Sequence, residues 1–103
     1  MGEDFSRIEF EKHRLHEKKA VHGTYPINDT TYVSICSGEG SYGDLNKIEY
    51  HIFLSQQHGK WFNNIKSSFE IALVTEGKIN DEEILSNQTP INVEEFIKKV
   101  KQK

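Results

Sequence analysis

Apolar and polar residues follow two different periods along this chain, and the period assigns the elements. Near the C-terminal end Val93, Phe96, Ile97 and Val100 recur at i, i+3, i+4 and i+7, the spacing of one helix face. Asn92 with Glu95 three residues later forms a capping pair at the start of that helix, and Lys98, Lys99 and Lys101 complement its dipole at the end. Near the other end Phe5, Ile8 and Leu15 fall near one side of a helix over residues 4–20, with Asp4 or Ser6 as its cap. Its apolar stripe is thin, so this helix is expected to lie across other structure instead of inside the core.

Between these helices the period shortens to two. Residues 30–37 place Thr31, Val33 and Ile35 on one face and Tyr32, Ser34 and Cys36 on the other, the alternation of a half-buried strand. "KIEYHIFL", residues 47–54, alternates Ile48, Tyr50, Ile52 and Leu54 against Glu49, His51, Phe53 and Ser55, although Leu45, Ile48 and Ile52 also fit a helical face. A third strand is expected in "SFEIALVTEGK", where Phe69, Ile71 and Leu73 oppose Glu70, Ala72 and Val74. Gly23 and Pro26 open a loop, "HGTYPIND", and "WFNNIK" suits either a hairpin extension or a short helix. The expected fold is a single α+β domain over residues 1–103. It is a two-layer sandwich of an N-terminal helix, a three-stranded mainly antiparallel sheet and a C-terminal amphipathic helix.

Composition narrows the partners. Thirteen Lys and Arg against sixteen Asp and Glu give a net charge of −3, which argues against nucleic acid. No apolar run approaches the roughly 20 residues that span a bilayer, and "MGEDFSRIEF" lacks the apolar stretch of a signal peptide. A cytoplasmic protein with no membrane partner is expected. Met1-Gly2 with Ser6 matches a myristoylation pattern, but Glu3 and Asp4 supply no basic second anchor. The lone cysteine, Cys36, excludes an internal disulfide. Its apolar surroundings suit a small buried hydrophobe.

Gly38-Glu39-Gly40-Ser41-Tyr42-Gly43 has the spacing G-x-G-x-x-G. A dinucleotide-binding loop of that spacing feeds a helix, whereas a strand is expected to follow here. The string resembles the glycine-rich loop of protein kinases. That resemblance spans six residues, and the lysine, H-R-D and D-F-G motifs a kinase also needs are missing. What remains is a strand connection in which Gly38, Gly40, Ser41 and Gly43 would offer backbone N–H groups to a phosphorylated small molecule or nucleotide.

"KHRLHEKK", residues 12–19, is the one locally basic segment, and its Lys12, Arg14, Lys18 and Lys19 would face an acidic partner. His13 and His16 lack further ligands for a metal, and no metal or other cofactor is expected. His51 beside Glu49 is the minimum pair for acid–base cleavage of RNA. Tyr32 and Phe53 on the outer sheet face, with Trp61 and Phe62 after the "QQHGK" turn, would form an exposed aromatic partner site. The leading expectation is a small non-catalytic binding protein acting as an inhibitor or regulatory factor on another protein. The abundance of Lys, Ile and Asn fits an AT-rich genome such as a phage's. A phosphate-binding module using residues 38–43 and a small ribonuclease using His51 and Glu49 are the alternatives.

Overall fold

The computed structural model describes residues 2–13, 20–79 and 84–102. It is α+β, as expected, but the sheet has six strands where the alternation predicts three. A single helical turn, α1 (Glu3–Ser6), leads into β1 (Glu9–Lys12). The strands β2 (Ala20–Pro26) and β3 (Thr31–Gly38) follow, then α2 (Glu49–Leu54) and a 3-10 helix (His58–Asn64). The chain ends with β4 (Phe69–Thr75), β5 (Lys78–Ile79), β6 (Leu85–Gln88) and α3 (Pro90–Lys101). All pairings are antiparallel. The order is β1-β2-β3-β4, and β5 and β6 both pair with β4.

Two of the extra strands, β1 and β2, come from the N-terminal quarter, and the other two, β5 and β6, follow β4. The helix expected over residues 4–20 is one turn, and the chain then extends, with Phe10 buried between exposed Glu9 and Glu11. The two-residue period of Ile8, Phe10 and Lys12 outweighs the sparse helical spacing to Leu15, which lies with residues 14–19 outside the described residues. Of the loop expected at "HGTYPIND", residues 22–26 are instead the second half of β2, and only 27–29 turn. Gly23 is not a breaker: it stands opposite Phe10, and a Cβ there would lie 2.6 Å from Ile8 and 2.7 Å from the Phe10 ring. Glycine lets those two side chains cross the strand.

Residues 49–54 form a helix where a strand is predicted. Burial follows a spacing of four: Glu49 and Phe53 are buried, Tyr50 and Leu54 pack partly against the core, and Ile48 is exposed. Expected strands β3 and β4 are present, in register through Val33↔Leu73 and Ile35↔Ile71. Glu76 (φ 53°) and Gly77 (φ 77°) turn β4 back into β5, the left-handed pair a two-residue hairpin turn needs. The C-terminal helix also forms, but it begins at Pro90 and its cap is Thr89, whose hydroxyl accepts from the Asn92 N–H (3.1 Å).

One core joins these elements on one face of the sheet. Val21, Tyr25, Val33, Ile35, Phe69 and Ile71 meet Phe5, Ile8, Phe10, Phe53, Phe62, Val93 and Ile97. Five phenyl rings meet there at centroid distances of 4.7–6.3 Å, within the range of favourable aromatic pairing. Among the described residues no helix is long and apolar enough to cross a membrane.

Candidate functional site

Two groups of candidate residues, the aromatic set and the Glu49–His51 pair, are dispersed by the fold. Phe53 and Phe62 are core residues at 0% and 6% exposure, not partner anchors. Trp61 is 47% exposed, on the helical layer, and Tyr32 is half-buried on the opposite sheet face. The aromatic patch expected from these four therefore does not assemble. Lys12 is exposed at the end of β1, whereas Arg14, Lys18 and Lys19 lie outside the described residues.

Glu49 and His51 sit two residues apart on α2, where side chains do not face each other. The Glu49 carboxylate is buried and holds the N–H groups of Lys66 (2.7 Å) and Ser67 (2.9 Å) and the Ser67 hydroxyl. His51 is exposed and stacks edge-on to Tyr50. Acid–base cooperation between Glu49 and His51 has no geometry here.

The glycine stretch is a folded-back corner at the end of β3. Gly38 (φ 101°) and Gly40 (φ 87°) take left-handed backbone, which glycine adopts without strain. The Gly38 N–H donates to the Gly43 carbonyl (3.1 Å), and the Ser41 N–H (3.1 Å) and hydroxyl (2.8 Å) donate to the Gly38 carbonyl. The Asp44 N–H donates to the Ser68 hydroxyl (2.8 Å). A cleft of about 410 Å³ lies along Gly38–Ser41 and Gly43–Leu45. Its lining carries two acidic residues, Glu39 and Asp44, and no Lys or Arg, a poor field for a phosphate. Gly43 packs on the start of β4, where a Cβ would lie 2.5 Å from the Ser68 carbonyl oxygen and 2.8 Å from the Phe69 Cα. We expect Gly43→Ala to destabilise the fold by about 1–3 kcal/mol, read as a lower urea midpoint at unchanged slope; an unchanged midpoint would contradict this packing role.

The surface that periodicity left unnoticed is the face of the sheet turned away from the core. Register aligns Glu11, His22, Cys36 and Glu70 in one row, with Thr24, Ser34 and Ala72 in the next and Pro26, Tyr32 and Val74 beyond. His22 Nε2 and Ser34 Oγ share a hydrogen bond of 2.9 Å, Ser34 Oγ is 3.9 Å from Cys36 Sγ, and Glu11 Oε1 is 4.0 Å from His22 Nδ1. Burial holds His22 below the ordinary imidazole value against the pull of Glu11, so the ring is neutral near pH 7. Burial likewise raises the Cys36 thiol, which stays protonated. A carboxylate, an imidazole and a hydroxyl in sequence suggest nucleophile activation. However, β3 is paired on both sides, which commits its amides to the ladder and leaves none there to hold an oxyanion. Among the described residues no three His, Cys, Asp or Glu converge as a metal site.

Groups on two edge strands, β1 and β6, are engaged. On β1 the Phe10 N–H donates to Gln56 Oε1 (3.3 Å) and Gln56 Nε2 donates to the Phe10 carbonyl (2.7 Å). The side-chain amide thus stands where a neighbouring strand's peptide would. On β6 the Asn87 N–H donates to the Tyr42 carbonyl (2.8 Å) and Gln88 Nε2 to the Ser86 carbonyl (2.8 Å). Groups occupied this way do not template another strand. No protein-family model matches the chain, and no curated protein and no solved structure is similar to it beyond chance.

Proposed function

We propose that the protein is a non-catalytic binding protein that inhibits or regulates another protein by occupying its surface, and that the contact is the open face of the sheet. The observation that carries this reading is the make-up of that face. Short, half-exposed side chains (Thr24, Ser34, Cys36) share that face with half-buried Tyr32 and with the buried Ala72 and Val74 that stand beside Ser34 and Tyr32 in register. Such a surface suits a flat protein contact better than a concave small-molecule site. The engaged edge groups of β1 and β6 favour the same mode, because a partner would lie on the face instead of adding a strand there.

The test starts from a partner captured on the native chain, identified by mass spectrometry and then purified. Ser34→Arg puts a long charged side chain in the centre of the face and is expected to weaken that partner's binding at least about tenfold in calorimetry, the effect of about 1.4 kcal/mol. Ile91→Arg, on exposed α3, should bind as the native chain does. Equal affinity of Ser34→Arg and native protein would refute the open face as the contact.

A further inference from the structure

Among the described residues, the polar side chains that tie the N-terminal turn to the rest of the domain are those of Glu94, Asp4 with Tyr25 and Lys101, and His58. Glu94 of α3, itself buried, accepts from the backbone N–H of Gly2 and from that of Phe5 (2.8 Å). Asp4 accepts from the Tyr25 hydroxyl and from Lys101 Nζ, both at 2.8 Å. His58 of the 3-10 helix, fully buried, has its Nε2 3.0 Å from the Phe5 carbonyl. A carbonyl only accepts, so that nitrogen carries the proton. Nδ1 is then a bare lone pair, buried and without a hydrogen-bond partner.

Apart from the Phe5 and Ile8 carbonyls, the ring is packed among phenyl groups. The ring centroid lies 5.5 Å from Phe5, 5.0 Å from Phe10 and 6.0 Å from Phe53. Next to it Gly59 seats against α1 so closely that an added Cβ would fall 2.5 Å from the Ser6 Cβ. Water therefore reaches the ring only if α1 and the 3-10 helix separate.

We propose that His58 is a pH-operated latch: proton uptake at Nδ1 in mildly acidic conditions releases residues 2–8 from the domain while the β2-β3-β4 sheet stays paired. The charged form would place an N–H cation among three phenyl rings. The surrounding elements carry Glu3, Asp4, Arg7, Glu9, Glu11, Lys12, Glu49 and, on the 3-10 helix itself, Lys60, and none of these acts on the ring. Burial lowers the imidazole from its ordinary 6.5, and only the carbonyls of Phe5 and Ile8 oppose it. The Ile8 carbonyl lies near the ring without making a hydrogen bond to Nδ1.

The sign follows from the depressed value. Above pH 6.5 the ring is neutral whether residues 2–8 are seated or released, and the latch is at full strength. Below it the released state takes a proton that the seated state refuses, so seating weakens by up to about tenfold per pH unit until the seated value is reached. Asp4 does not release first. Burial alone would raise its carboxyl, but the hydrogen bonds from Lys101 and Tyr25 bring it below the usual value, so it stays charged through this range.

Hydrogen exchange read by mass spectrometry on the native chain between pH 7.5 and 5, corrected for intrinsic rates, tests the latch. Protection of residues 2–8 should fall about tenfold per pH unit below 6.5, while residues 33–36 and 70–74 keep theirs. His58→Gln retains an N–H donor for the Phe5 carbonyl and cannot titrate, so its protection should be flat over the same range. Should His58→Gln fail to fold, the native imidazole is titrated by NMR. A midpoint below 6.5 that coincides with the change in the amide signals of residues 2–8 supports the latch. A midpoint of 6.5 or above, the same pH dependence in His58→Gln as in the native chain, or simultaneous loss of protection in all segments overturns it.

Discussion

Replacing Phe53 by alanine is expected to remove about 3–5 kcal/mol of folding free energy, the range for deleting a buried aromatic ring. Phe53 is 0% exposed and lies 4.7 Å from the Phe10 ring and 5.6 Å from Phe69. Those neighbours are themselves held by strands β1 and β4, so they cannot collapse into the space the ring leaves. A domain of this size has roughly 5–15 kcal/mol in all, and the loss should lower the melting temperature by about 12–40 °C at roughly 4–8 °C per kcal/mol. Calorimetry or a urea melt reads it directly. Trp61→Ala supplies the contrast: with its side chain 47% exposed, the cost should stay below about 1 kcal/mol. Equal losses from the two substitutions would contradict the assignment of Phe53 to the core and Trp61 to the surface.

That contrast also shows where the sequence was readable. β3 and α3 bury one face apiece, and β4 buries Phe69 and Ile71 on its core face while Ala72 and Val74 on the other are also buried, so Val33 and Ile35, Phe69 and Ile71, and Val93 and Ile97 repeat with a single period. Residues 48–54 satisfy both periods, because Ile48, Tyr50, Ile52 and Leu54 alternate while Glu49 and Phe53 stand four apart. What resolves them is a buried polar partner for Glu49, which no apolar count contains. β1 and β2 were hidden for a different reason. Gly23 looks like a breaker until Ile8 and Phe10 are known to cross it, a contact between segments that local spacing does not encode. The candidate face has the same origin. Glu11, His22 and Ser34 come from three strands, and the only trace of their meeting in the chain is the alternation Val21, Gly23, Tyr25 against His22 and Thr24.

Glu49→Ala should be nearly as damaging as the loss of Phe53, at about 3–5 kcal/mol, although the residue carries a charge and no ring. Its carboxylate, in a residue 6% exposed, is the acceptor for the Lys66 N–H, the Ser67 N–H and the Ser67 hydroxyl. Ser67 Oγ in turn accepts from the Asn46 N–H (2.9 Å). The carboxylate therefore joins the entry to α2 with the chain entering β4. Alanine leaves the buried Ser67 N–H and the part-buried Lys66 N–H without an acceptor, at about 1–3 kcal/mol for a buried donor, and lets the relay through Ser67 to Asn46 relax. Because the three bonds act as one network, Ser67→Ala and Glu49→Ala should be non-additive, with the double variant less destabilised than the sum of the singles by at least about 0.5 kcal/mol. A double-mutant cycle in urea measures this. Additive losses, or a Glu49→Ala melt that matches the native chain, would mean that the carboxylate is not what fixes the turn into β4.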